Sequence, residues 1–272
     1  VASGKATVDY VRALLPADET ATRKNGDVVY SYVLTGRSTQ DAPAATWLLP
    51  SSARVPGEGG ATWTTDLAVA NTGSADASLT LKFLGHDADG TGGDEKSFSL
   101  AAGKSVTWGD VLGSVFGRAT GWGAILLASS SPSLAVAGQT YTPHPGGGTF
   151  GQSVPAFASA DLVKAGTPRA IVGVREDGAF RTNLILANAT ASSLDVDVSL
   201  VSEGGAALAS KRYSLPPLGM TQVTRLVRDL GVSADIAGAR ALLSTPSAGG
   251  SFAAYASLID ATTNDPRTLL PR

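Results

Sequence analysis

The chain has 272 residues, a formal net charge of −2 and no cysteine, which excludes disulfides, thiolate catalysis and zinc–sulfur or iron–sulfur sites. Its charged fraction of 16% lies well under the roughly 25% of an average soluble protein, and 21 Lys and Arg against 23 Asp and Glu leave no basic field for nucleic acid or an acidic membrane. The longest apolar run, around "AILLAS", is far short of the roughly 20 residues that cross a bilayer, so membrane insertion is not expected.

Residues 1–46 read as an N-terminal strand segment. "ATVDYVRALL" and "DVVYSYVLTG" each have strand character, and the polar "PADETATRKNG" between them ends in Asn25-Gly26, a strong turn signal. Two roles are open to such a segment. It docks on the domain that follows, or it completes the open sheet edge of a neighbouring subunit by strand addition.

From residue 47 the chain says everything twice. "TDLAVANTG" at 65–73 returns as "TNLILANAT" at 182–190. On one face Trp63, Thr65, Leu67, Val69 and Asn71 correspond to Phe180, Thr182, Leu184, Leu186 and Asn188, each pair 117 apart (182 − 65). The period of two is that of a half-buried strand, and keeping one face keeps what packs inward. The opposite face changes, with Thr64, Asp66 and Ala68 becoming Arg181, Asn183 and Ile185. The next strand repeats as well, Leu79, Leu81 and Phe83 against Val196, Val198 and Leu200.

"FSLAAGKSVTWGDVLGSVFG" then aligns with "YSLPPLGMTQVTRLVRDLGV". Each reads strand, turn, strand and a brief helix whose apolar residues (Val111, Leu112, Val115; Leu226, Val227, Leu230) face a core, with Gly117 and Gly231 as stops. "GAILLASSSPSLAVAGQTY" and "ARALLSTPSAGGSFAAYAS" close the two copies as apolar strands around Ser/Pro/Gly turns. Short strands at this spacing predict an all-β chain: two tandem immunoglobulin-like antiparallel β-sandwich domains, 47–166 and 167–272, each with one short helix.

These patterns, with "GGGTFGQSVPA" and "YASLIDATTNDP", resemble a tandem β-sandwich repeat module of large secreted proteins from environmental bacteria. The resemblance covers residues 47–272 and carries no catalytic residues with it. It implies an extracellular accessory or structural role, in keeping with low charge and 32 glycines.

Chemistry is sparse. His86 sits in the polar hairpin tip "GHDADGTGGDE" and His144 in "YTPHPGGG", and neither has a nucleophile-elbow serine nearby. Asp87, Asp89 and Asp94 suggest a calcium loop, but Thr91 and Phe98 stand where further ligands belong, so a hairpin turn is the better reading. "GGGTFG" matches the dinucleotide spacing without a strand before it and a helix after it. No cofactor and no enzymatic activity are expected.

Among the aromatics, Trp63 and Trp108 align with Phe180 and Val223 and are expected in the core, whereas Trp122 aligns with Gly238 and the shared packing does not require it. Trp47, Trp122 and Tyr141 are therefore the candidates for stacking on a sugar ring. Two roles follow. The first is a non-enzymatic extracellular structural or adhesive subunit that associates with itself or with neighbouring β-domains, in a fibrous or cell-surface assembly joined by strand addition. The alternative is a carbohydrate-binding accessory module for a polysaccharide.

Overall fold

The computed structural model describes residues 20–24, 27–31, 45–57, 62–144 and 146–272. The chain divides into two compact units, Val1–Ala42 and Pro43–Arg272. In the first unit, β1 (Thr20–Lys24) pairs antiparallel with β2 (Asp27–Ser31), and Lys24 stands opposite Asp27. Asn25 and Gly26, between the strands in sequence, lie outside the described residues. β1 falls inside the stretch that the sequence marks as a polar connector. The strand expected over "ATVDYVRALL" lies outside the described residues.

The second unit holds both repeats. The first contributes β3 (Ala45–Pro56), β4 (Thr62–Asn71), β5 (Ala77–Gly85), β6 (Glu95–Leu100) and β7 (Ser105–Trp108). Helix α1 (Val111–Ser114), β8 (Gly121–Ser129), β9 (Leu134–Pro143), β10 (Thr149–Pro155) and β11 (Phe157–Ala158) follow. The second adds β12 (Val163–Lys164), β13 (Arg169–Glu176), β14 (Phe180–Asn188), β15 (Leu194–Ser202), β16 (Ala207–Leu215) and β17 (Met220–Val223). It ends with helix α2 (Leu226–Asp229), β18 (Ile236–Ser244), β19 (Ser251–Asp260) and β20 (Pro266–Leu269). The architecture is all-β, with antiparallel sheets and, among the described residues, two short helices.

The duplication is visible in the pairing. In the first repeat β8 lies between β3 and β5, β6 flanks β5, and β4 lies between β7 and β9. In the second, β18 lies between β13 and β15, β16 flanks β15, and β14 lies between β17 and β19. Register agrees too: Leu67 faces Trp108 and Gly138, and Leu184 faces Val223 and Ala256. One difference separates the copies. The end of β3 pairs with the start of β4, so the first repeat forms one nine-stranded sheet folded on itself. In the second, five- and four-stranded sheets remain separate around their core.

The residues that echo in sequence have the same tasks in space. Leu67 and Leu184 are 1% and 0% exposed, each in the centre of its strand. Burying such a side chain stabilises by about 2 to 3 kcal/mol. Thr65 Oγ1 accepts the Ala53 N–H at 2.8 Å, and Thr182 Oγ1 accepts that of Arg175 at 3.1 Å. Both amides lie beyond the points where β3 and β13 first slip register, and a buried amide left without a ladder partner is costly. Asn71 donates to the carbonyls of Ala75 and Leu100, Asn188 to those of Ser192 and Pro216, all within 3.0 Å. Each asparagine thereby ties the loop after its strand to the backbone where β6 or β16 ends. Gly117 (φ 64°) and Gly231 (φ 85°) end the two helices in the left-handed conformation that their sequence positions predict.

Candidate functional site

β14 and β19 are apolar on both faces. Leu184, Leu186, Phe252, Ala254 and Ala256 point into the second core, while Ile185, Ala187, Ala253 and Tyr255 alternate with them and join the core of the first repeat. Their sheet is therefore sandwiched between its own partner sheet and the neighbouring repeat. Docking continues at the edge, where the Asp87 and Gly90 amides donate to Met220 O and Pro217 O, each at 2.9 Å.

Toward the Phe180 end the outward side chains turn polar, with Arg181 and Asn183 on β14 and Ser257 on β19, and the two repeats part. A cleft of about 710 Å³ opens there. The second repeat supplies those residues together with Gln222, Ile259 and the turn at Asn264. The first repeat supplies Trp63, Trp122, Phe150 and Gln152, with Tyr255 between the repeats at the inner end. Apolar walls with a few convergent polar groups are the usual make-up of a small-ligand site.

The walls are braced from behind. Trp122 is stacked on His86, ring centroids 3.4 Å apart and 19° from parallel, and the His86 amide donates to Trp122 O. Burial pushes the His86 imidazole below its ordinary pKa, and Asp87 Oδ2, 3.1 Å from Nδ1, opposes that only in part. Phe150 is met edge-on by His144 at 4.4 Å. Gln152 Oε1 accepts the Ser257 hydroxyl at 3.0 Å, a bond from one repeat to the other. Arg181 Nη2 donates to Asn264 Oδ1 at 3.0 Å, and Asn183 Oδ1 accepts the Arg225 amide at 3.0 Å. Tyr255 is 1% exposed; burial raises its hydroxyl to about 12, and a hydrogen bond with Ser51 works the other way.

The three aromatics singled out from sequence have separate fates. Trp122 lines the cleft. Trp47 is 8% exposed inside the first core, opposite Leu127, so its faces are spent on packing. Tyr141 is half-buried outside the lining, with its hydroxyl 3.4 Å from Asp66 Oδ1. Trp63, expected in the core, is half-buried on the cleft wall instead. Trp108 does pack on the first core, against Phe98 at 4.8 Å. Phe150 and Arg181 were not singled out, although "LILAN" in β14 and "FAAYASLI" in β19 are apolar on both strand faces and so announce a second covered surface.

The hairpin carboxylates do not converge. Asp87 pairs with His86, Asp89 closes a turn onto Thr91, and Asp94 meets Arg118 at 2.5 Å. Among the described residues no three metal-ligating side chains come together. The first three glycines of "GGGTFG" lie in the tight connection between β9 and β10, with Gly147 and Gly148 at φ 94° and 82°, and its last three residues open β10. No protein-family model, curated protein or solved structure matches the chain.

Proposed function

We propose that the chain is a non-enzymatic extracellular binding module whose inter-repeat cleft holds a carbohydrate. The observation that carries this reading is the meeting of Trp63, Trp122 and Phe150 with the side chains of Gln152, Asn183 and Gln222 in one cleft. Flat rings match the C–H faces of a sugar, and amides match its hydroxyls. Among the described residues the lining holds no Asp, Glu or His. Glycoside cleavage ordinarily uses a pair of carboxylates, so binding rather than hydrolysis suits this site.

Titrating the full chain with a panel of oligosaccharides, followed by tryptophan fluorescence and calorimetry, tests the reading. Binding is expected to fall at least tenfold in Trp63→Ala and in Trp122→Ala and to persist in Trp47→Phe. A panel that leaves fluorescence and heat unchanged overturns it. The assembly role by strand addition rests on residues 1–46, and sedimentation with and without residues 1–15 separates it from the binding role.

A further inference from the structure

We infer that the ligand of this cleft is acidic: a saccharide carrying a carboxylate, as a uronic acid does, with Arg181 as its anchor. The inference rests on the carbohydrate reading above and narrows it.

Among the described residues, Arg181 is the only charged one that lines the cleft. The residue is half-buried, and among the described residues no carboxylate oxygen lies within ion-pair distance. The acidic residues nearest along the adjoining turn are otherwise engaged. Asp260 Oδ1 accepts the Thr262 and Thr263 amides, and Asp265 Oδ1 accepts the Gly151 amide at 3.3 Å. One neutral oxygen, Asn264 Oδ1, is the side-chain partner that the protein gives this cation. A guanidinium has five N–H donors in a planar fork that matches a carboxylate with two parallel bonds. Holding such a group partly desolvated without a counter-charge is costly unless a ligand supplies one.

Two further observations point the same way. Thr142 lines the same cleft at 5% exposure, and its hydroxyl has no hydrogen-bond partner in the protein. Buried hydroxyls ordinarily find partners, and a sugar hydroxyl that reached Thr142 would supply one. Nor is Arg181 required by the repeated fold. Thr64 occupies the corresponding place in the first repeat, where the strand is built to the same register.

The test uses the full chain and two sets of probes of equal length, oligogalacturonates and cello-oligosaccharides, with carboxyl-reduced oligogalacturonates as the matched neutral control. Expected are at least tenfold tighter binding of the uronate than of its reduced form, and loss of that preference in Arg181→Gln with neutral binding retained. Arg181→Lys retains part of the preference, and Thr142→Val weakens both sets severalfold. Equal affinity for acidic and neutral probes, or an unchanged preference in Arg181→Gln, overturns the inference and leaves carbohydrate binding standing. Absence of binding by every probe overturns both.

Discussion

At the start of α1, Asp110 caps the helix by accepting the Gly113 amide at 3.2 Å, and Arg54 at the end of β3 pairs with it. At the start of α2 the signs are reversed. Arg225 holds the cap position, and Glu176 at the end of β13 both pairs with Arg225 at 3.2 Å and accepts the Val227 amide at 3.1 Å. Both cap residues are left-handed, φ 47° and 55°, and their amides are held by equivalent strand residues, Asp66 and Asn183. The backbone therefore fixes the need for an anion at the helix start, and either the helix or the strand can supply it. Burial differs, however: Asp110 is 27% exposed and Glu176 fully buried.

The outer sheet faces differ in the same spirit. Ile185 opposite Tyr255 covers the neighbouring repeat, where the first repeat has Ala68 opposite Ala137, the latter exposed. One scaffold thus carries two different surfaces, and the residues that remain constant are those that hold the scaffold.

If that equivalence is real, matched truncations in the two cores cost alike. Leu67→Ala and Leu184→Ala are each expected to lose about 3 to 4 kcal/mol in urea unfolding, and a gap above about 2 kcal/mol would break the comparison. The caps sharpen it by asymmetry. Glu176→Gln is expected to cost about 2 kcal/mol, since the carboxylate is buried and charge-bonded to the Val227 amide while its partner Arg225 is half-exposed, against about 1 kcal/mol for Asp110→Asn at its partly exposed cap. Restoring the first repeat's order, Glu176→Arg with Arg225→Asp, should recover more than half of the loss caused by Glu176→Arg alone. Denaturant midpoints of the unaltered protein and the two variants decide this.

Asn71→Ala and Asn188→Ala come next, each removing two donors to backbone carbonyls for about 2 kcal/mol, with thermal melts as the readout. An effect that is absent at neutral pH belongs to one side only. Tyr255 titrates near 12 when folded and near 10 when unfolded, so stability is intact below pH 10 and lost as pH rises to 12, by up to about 1.4 kcal/mol per unit. Tyr255→Phe should lessen that slope in alkaline unfolding without removing it, because burial and Asp229 also raise the Tyr213 hydroxyl, whereas Ala137 leaves the first repeat without a group equivalent to Tyr255.

The strands and helices were legible in the sequence because their signals are local: period two in β4, apolar residues ahead of Gly117, Asn25-Gly26 between paired strands. Thr65 and Asn71 were legible as repeated residues but not as hydrogen-bonding ones, since the carbonyls and amides they serve lie on other strands. At Trp63 and Phe180 the two repeats share an aromatic but not its environment. The Phe180 ring lies beneath the Arg175 and Arg267 guanidiniums at 4.3 and 5.9 Å, whereas Trp63 looks into the cleft. The cleft itself depends on how one repeat settles on the other, which no single-strand pattern encodes.

The sheet with two apolar faces also sets a timetable. A ribosome releases the first repeat before β14 and β19 exist, so a finished surface awaits Ile185, Ala187 and Tyr255 as they emerge. A gene with the repeats in the opposite order would deliver the needy sheet ahead of its shelter, and the nascent chain would hold those side chains in water, open to chaperones and to its neighbours.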